Sequence, residues 1–167
     1  MTISWHSAPS APVSGNIEVD QSGKIERTNT DTVLAFSDGI SRAVRIPASV
    51  KREALELLRT KRRRSRNSKV VYWQLFVVGL HLLLREYWHR LEHVTIDTEY
   101  TGREIEIRGM LLMLIRVEQP GYPSKRISFR QVGKSSPAHH LAWQVHRGLR
   151  EADHRITLEE ILALLQK

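Results

Sequence analysis

Alternation of apolar and polar positions opens the chain after a Ser-, Ala- and Pro-containing stretch at residues 1–15, which is expected to be a flexible tail. Ile17 and Val19 would point to one face of a strand and Glu18 and Asp20 to the other, and Ser22-Gly23 would turn it. Lys24 to Thr28 and Thr32 to Phe36 read as extended from their β-branched content, with Asn29, Thr30 and Asp31 bending or interrupting them. Asp38-Gly39 is a hairpin signal between Val33–Phe36 and Ile40–Ile46. The expectation to Pro47 is an antiparallel three-strand meander.

Beyond Pro47 the period changes. Ser49 is placed as an N-cap, and Val50, Ala54, Leu57 and Leu58 form one apolar stripe of a helix running to about Thr60. Val70 to Leu84 is the most apolar stretch, but a membrane span needs about 20 such residues and this one runs directly into Arg85-Glu86. It is expected to be a buried helix on the sheet, with His81 in the core or at its edge. His93 to Gly102 repeats the first design, β-branched residues leading to Asp97 and Glu99 on one strand face. Arg103 to Val117 reads as a helix stopped by Gln119–Pro123, and Lys125 to Val132 alternates as a fifth strand. Ser136 and Pro137 should start a helix to about Arg147, with Ala138, Leu141, Ala142 and Val145 buried and His139 flanking that face. Thr157 to Gln166 is a short amphipathic helix with Thr157 and Glu160 as a capping box.

Composition narrows the reading. At 167 residues the chain is expected to hold one domain, over 16–167. There is no cysteine, which excludes disulfides and thiolate zinc sites. The 26 Lys and Arg against 18 Asp and Glu give a net charge of +8, which favours a polyanionic partner such as nucleic acid (DNA or RNA) or an acidic membrane surface, the alternative being an ordinary basic protein. The densest basic run is Lys61, Arg62, Arg63, Arg64 and Arg66; either it contacts phosphates or it is a solvated surface. Lys134, beside Gly133 and before a helix, could also hold a phosphate, although Gly133-Lys134-Ser135 lacks the upstream glycine of a nucleotide-binding loop. His89 and His93 are four apart, but His93 should begin a strand, which argues against a paired-histidine metal site.

The order of three strands, helix, strand, helix, strand, helix, with an acid on the first strand and another on the fourth, resembles the ribonuclease H-like superfamily of nucleases, resolvases and integrases, over about Asn16 to Gly148. The resemblance implies an α/β fold with a mixed five-stranded sheet flanked by helices; separately, a cytoplasmic, intracellular location is expected. It implies that Asp20 and Asp97 lie side by side as metal ligands, and that His139 on the last helix completes the site as a metal ligand or a proton shuttle. It also implies a glutamate from the first long helix, for which Glu53 and Glu56 are candidates and Glu99 a substitute. Hydrolysing a phosphodiester calls for a hard cation to polarise a phosphoryl oxygen and acidify water, and carboxylate oxygens suit Mg²⁺ or Mn²⁺. The expected catalytic set is Asp20, Asp97, Glu99 and His139. Two other functions remain open: a nucleic-acid-binding module without catalysis, or an interaction protein whose Val70–Leu84 helix packs on a partner. A homodimer is left open, and no membrane partner is expected.

Overall fold

The computed structural model describes residues 15–61 and 69–166. The expected tail, apart from Gly15, and the basic residues Arg62, Arg63, Arg64 and Arg66 lie outside the described residues.

The chain forms strands β1 (Asn16–Ser22), β2 (Thr32–Asp38) and β3 (Ile40–Ile46), helices α1 (Ala48–Lys61) and α2 (Val70–Leu84), strand β4 (His93–Asp97), helix α3 (Glu104–Glu118), strand β5 (Ile127–Arg130), helix α4 (Pro137–His146), strand β6 (His154–Arg155) and helix α5 (Leu158–Leu165). They build a mixed six-stranded sheet in the order β5-β4-β1-β2-β3-β6. β1, β2 and β3 are antiparallel neighbours, while β4 runs parallel to β1, β5 to β4, and β6 to β3.

Alternation assigns the two sheet faces. Ile17, Val19, Leu34, Phe36, Val44, Ile46, Val94 and Ile96 point into the larger core, which α1, α2, α3 and α5 close. Gly79 lets α2 come down onto the sheet, because a Cβ there would lie 2.6 Å from Leu34 Cδ1. α2 buries eleven of its fifteen residues, so its apolar surface is taken up within the chain. Among the described residues, no helix is long and apolar enough to cross a membrane. The opposite face carries a smaller core in which Val33, Ala35 and Ala43 meet Leu141, Ala142 and Val145 of α4.

Five sequence expectations need correction. The sheet has six strands rather than five: β6 is only two polar residues, without alternation to announce it, and is set in place when Asp153 Oδ2 accepts the Ala43 N–H at 2.8 Å. Lys24 to Thr28 is not a strand but a series of turns between β1 and β2, because its carbonyls are claimed by side chains of α1 instead of a ladder. Ser49 lies inside α1; the helix begins at Ala48, whose N–H is accepted by Asp31 Oδ1 at 2.8 Å. β4 ends at Asp97, so Glu99 stands on the following loop and not on the strand face. The expected fifth strand is also shorter, Ser124–Arg126 forming a 3-10 turn before it.

Candidate metal centre

β1 runs parallel to β4 with Glu18 opposite Thr95 and Val19 opposite Ile96, so the next step sets Asp20 beside Asp97. Asp97 closes β4 and Asp20 lies two residues before the end of β1, both on the face that α4 covers only in part. The loop leaving β4 folds back so that one ligand oxygen each from Asp20, Asp97 and Glu99 lies within 4.8 Å of the others. His139, on the first turns of α4, places Nδ1 2.8 Å from Asp20 Oδ2. The structure therefore brings together all four residues expected from the sequence.

The local framework explains how they are held. Asp20 is buried, and its Oδ1 accepts the Gln21 N–H at 2.8 Å. Asp97 Oδ1 accepts the N–H of Val132 at 2.7 Å, from the loop between β5 and α4. That loop ends at Ser136, which caps α4 by accepting from the Ala138 N–H while its hydroxyl donates to Glu18 Oε1 at 3.3 Å. Glu18 Oε2 also accepts from Arg130 Nη2 at 3.0 Å. β1 thus ties down α4 twice, through Glu18 and through Asp20. Next to Asp20 in the sheet is Ala35, and Ala138 and Ala142 line the helix side, so small residues leave the helix close above the acid.

Charge is crowded here. Burial raises the Asp20 pKa above the ordinary carboxylate range, with Asp97 adding to the rise; the Gln21 N–H and His139 oppose it. Glu99 is pushed up to about 8, by burial first, then by a hydrogen bond with Asp97 and the charges of Asp97 and Asp20, against a small opposing pull from Lys24. Three carboxylates sharing one region at neutral pH are stable only if one keeps its proton or a cation joins them.

The remaining sequence candidates are placed differently. Lys134 is exposed on the β5–α4 loop, two residues from the N–H that holds Asp97. Lys61, the last residue of α1, is exposed and lines a groove with Leu58, Trp73, Met110 and Leu165, among the helices across the sheet from Asp20. Glu53 and Glu56 are exposed on α1 and do not join the carboxylate cluster. His93 opens β4 with Nε2 2.7 Å from Ser128 Oγ, and His81 accepts from Trp88 Nε1 at 3.2 Å; both serve packing. Sequence reasoning missed Glu18 and Ser136 as supports. The signal was available, since Glu18 shares a face with Asp20 and Ser136 stands one turn before His139.

Comparisons with protein-family models, with curated proteins and with solved structures find no match.

Proposed function

We propose that the protein is a metal-dependent nuclease of ribonuclease H-like fold, hydrolysing phosphodiester bonds of DNA or RNA. The observation that carries this reading is the convergence of Asp20, Asp97 and Glu99 within 4.8 Å, with His139 against Asp20. The strand order β3-β2-β1-β4-β5, with β4 and β5 parallel to β1, supports the fold assignment, β6 being an addition at the edge.

The donor set fits a hard divalent cation. Its oxygens are carboxylates, the chain has no cysteine thiolate, and the like charges that raise the Glu99 pKa are what a cation would offset. Asp20, Asp97 and Glu99 would hold Mg²⁺ or Mn²⁺, with His139 at the edge of the coordination site. When bound, the ion supplies Lewis acidity toward a phosphoryl oxygen and a lowered pKa for the attacking water.

The chain's own groups have separable tasks. Asp20 and Asp97 are fixed by backbone N–H donors, so their remaining lone pairs are aimed before any ligand arrives. His139 is held through Nδ1, which leaves Nε2 as the ring nitrogen available to take or give a proton. Its side chain is 33% exposed, enough for a substrate to reach it. The net charge of +8 would draw a polyanion toward the protein.

The test uses purified protein with single- and double-stranded DNA and RNA, in Mg²⁺, in Mn²⁺ and in chelator. Cleavage is expected with metal only. Asp20→Asn keeps an acceptor for the Gln21 N–H but removes the charge, so the variant should stay folded and lose at least about 1000-fold in rate, which is about 4 kcal/mol. Cleavage by Asp20→Asn at the wild-type rate would remove this site from the chemistry. Binding without cleavage of any substrate would leave a nucleic-acid-binding module.

A further inference from the structure

The turns between β1 and β2 have no ladder to hold them, yet they are clamped from three sides. Lys51 of α1 is fully buried, and its ammonium donates to Lys24 O at 3.2 Å, Arg27 O at 2.7 Å and Thr32 Oγ1 at 3.0 Å. Arg52 Nη1 donates to Thr28 O at 2.8 Å, Ile25 is buried in the larger core, and His146 Nε2 of α4 lies 3.1 Å from Asp31 O. Gly23 begins the turn at φ +79°, and a Cβ there would lie 2.2 Å from Asp31 O, so only glycine lets the two ends meet. Burying an ammonium is costly unless its donors are satisfied, and here it fixes two backbone carbonyls of one exposed loop.

What that loop presents is two cations. Lys24 and Arg27 are exposed, and among the described residues neither enters an ion pair. Both line a polar cleft of about 360 Å³ together with Gln21, Thr30, His146 and Glu99. Glu99 belongs equally to the carboxylate cluster, so the cleft opens directly beside the proposed metal ligands. Gln21 is nine-tenths buried, and its Oε1 has no hydrogen-bond partner among the described residues. The lining therefore offers two positive charges for a phosphate, while Gln21 Oε1 is itself shielded from solvent behind it.

We propose that this cleft is a nucleotide subsite: it seats one unit of a nucleic-acid strand next to the carboxylate cluster, Lys24 and Arg27 taking the backbone phosphate. The proposal rests on the nuclease reading for the identity of the strand, and it adds where that strand lies. It places the strand along the C-terminal end of β1, whereas Lys61 lies across the sheet.

The test measures binding in chelator, where no cleavage is required. Anisotropy of a fluorescein-labelled single strand of about 20 nucleotides is followed against salt for the full chain and for Lys24→Ala/Arg27→Ala. Each phosphate contact contributes about −0.7 to the slope of log affinity against log salt, so the double variant should flatten the slope by about 1.4. Arg85→Ala/Lys125→Ala, which removes exposed charges at the opposite end of the sheet, should leave the slope near the wild-type value. An unchanged slope in Lys24→Ala/Arg27→Ala, or equal flattening in the control pair, overturns the subsite. Because binding is read without metal, a protein that never cleaves but shows the flattened slope loses the nuclease reading and keeps the subsite. One that cleaves with the slope unchanged does the reverse.

Discussion

The two faces of the sheet are built for different ends. On one, four helices bury Ile17, Val19, Leu34, Phe36, Val44 and Ile96 in a continuous apolar layer that includes most of α2. On the other, α4 alone covers a patch of valine, alanine and leucine, and the strand residues beside it are Glu18, Asp20 and Asp97. The first face has the area to supply most of the hydrophobic driving force, roughly 25 cal/mol per Å² of apolar surface removed from water. The second holds the buried Asp20 beside the half-buried Glu18 and Asp97, and a buried acid works against stability unless compensated. The stable face frees the other to carry charge that folding alone would not favour.

Core truncation on each face measures that division most directly. Leu80→Ala, in the fully buried heart of α2, should cost about 2–5 kcal/mol in urea-induced unfolding. Val33→Ala, beneath α4, removes less apolar volume from a smaller cluster and should cost about 1–2.5 kcal/mol. Equal losses at the two positions would mean that the α4 face contributes as much to stability as the helical layer, and the contrast would fail.

Where the faces meet at the end of β1, Lys51 joins stability to site geometry. Lys51→Met would strip the donor from two loop carbonyls and the Thr32 hydroxyl, and should cost about 2–3 kcal/mol. The same group gives a pH signature. Burial lowers the Lys51 pKa from 10.5 to about 8. Below about 8 both folded and unfolded chains carry the proton, and the cost of burying the charge is felt in full. Between about 8 and 10.5 the unfolded chain binds more protons, so this group makes the fold more stable as pH rises. The difference in stability between wild type and Lys51→Met should therefore widen over that window in favour of wild type. A constant difference would show that the ammonium is not desolvated as the structure indicates.

Much of this was legible in the sequence because period and turn chemistry are local. The alternation at Ile17–Asp20, the Asp38-Gly39 hairpin, the Ser136-Pro137 helix start and the Thr157–Glu160 capping box each appear where neighbouring residues predict. Asp20, Asp97 and Glu99 stand out as acids in two β-branched runs each closed by a glycine, whereas His139 enters the expected site only through the resemblance. What remained hidden depends on partners distant in sequence. Asp31 caps α1 from 17 residues away, Lys51 claims the carbonyls that would have made Lys24–Thr28 a strand, and β6 exists only because Asp153 reaches Ala43. Glu99 joins the acids through a loop reversal that its spacing from Asp97 does not encode.

The smallest expected effect is also the one that separates the carboxylate face most finely from the rest of the fold. Glu99 has a folded pKa of about 8 against an ordinary 4.5, first because it is buried and then because Asp97 and Asp20 crowd it. Below pH 4.5 both states hold the proton and nothing is lost. As pH rises from 4.5 toward about 8 the folded chain binds more protons than the unfolded one, so the contribution of this group to stability falls and is lowest once pH has passed 8. Glu99→Gln keeps the shape and removes the titration, so in chelator it should equal or fall slightly below wild type at pH 4.5 and exceed it by about 1 kcal/mol near pH 8.5, or about 2–4 °C in melting temperature. Metal reverses the ranking. Ligand carboxylates must lose their protons, so the melting-temperature rise that Mn²⁺ gives the wild type should grow between pH 6 and pH 8.5, and Glu99→Gln should show less of it at the higher pH. A Mn²⁺ shift of equal size at both pH values, and equal in the variant, would mean that Glu99 does not share the cation with Asp20 and Asp97. The carboxylate face would then lose its third acid while keeping the other two.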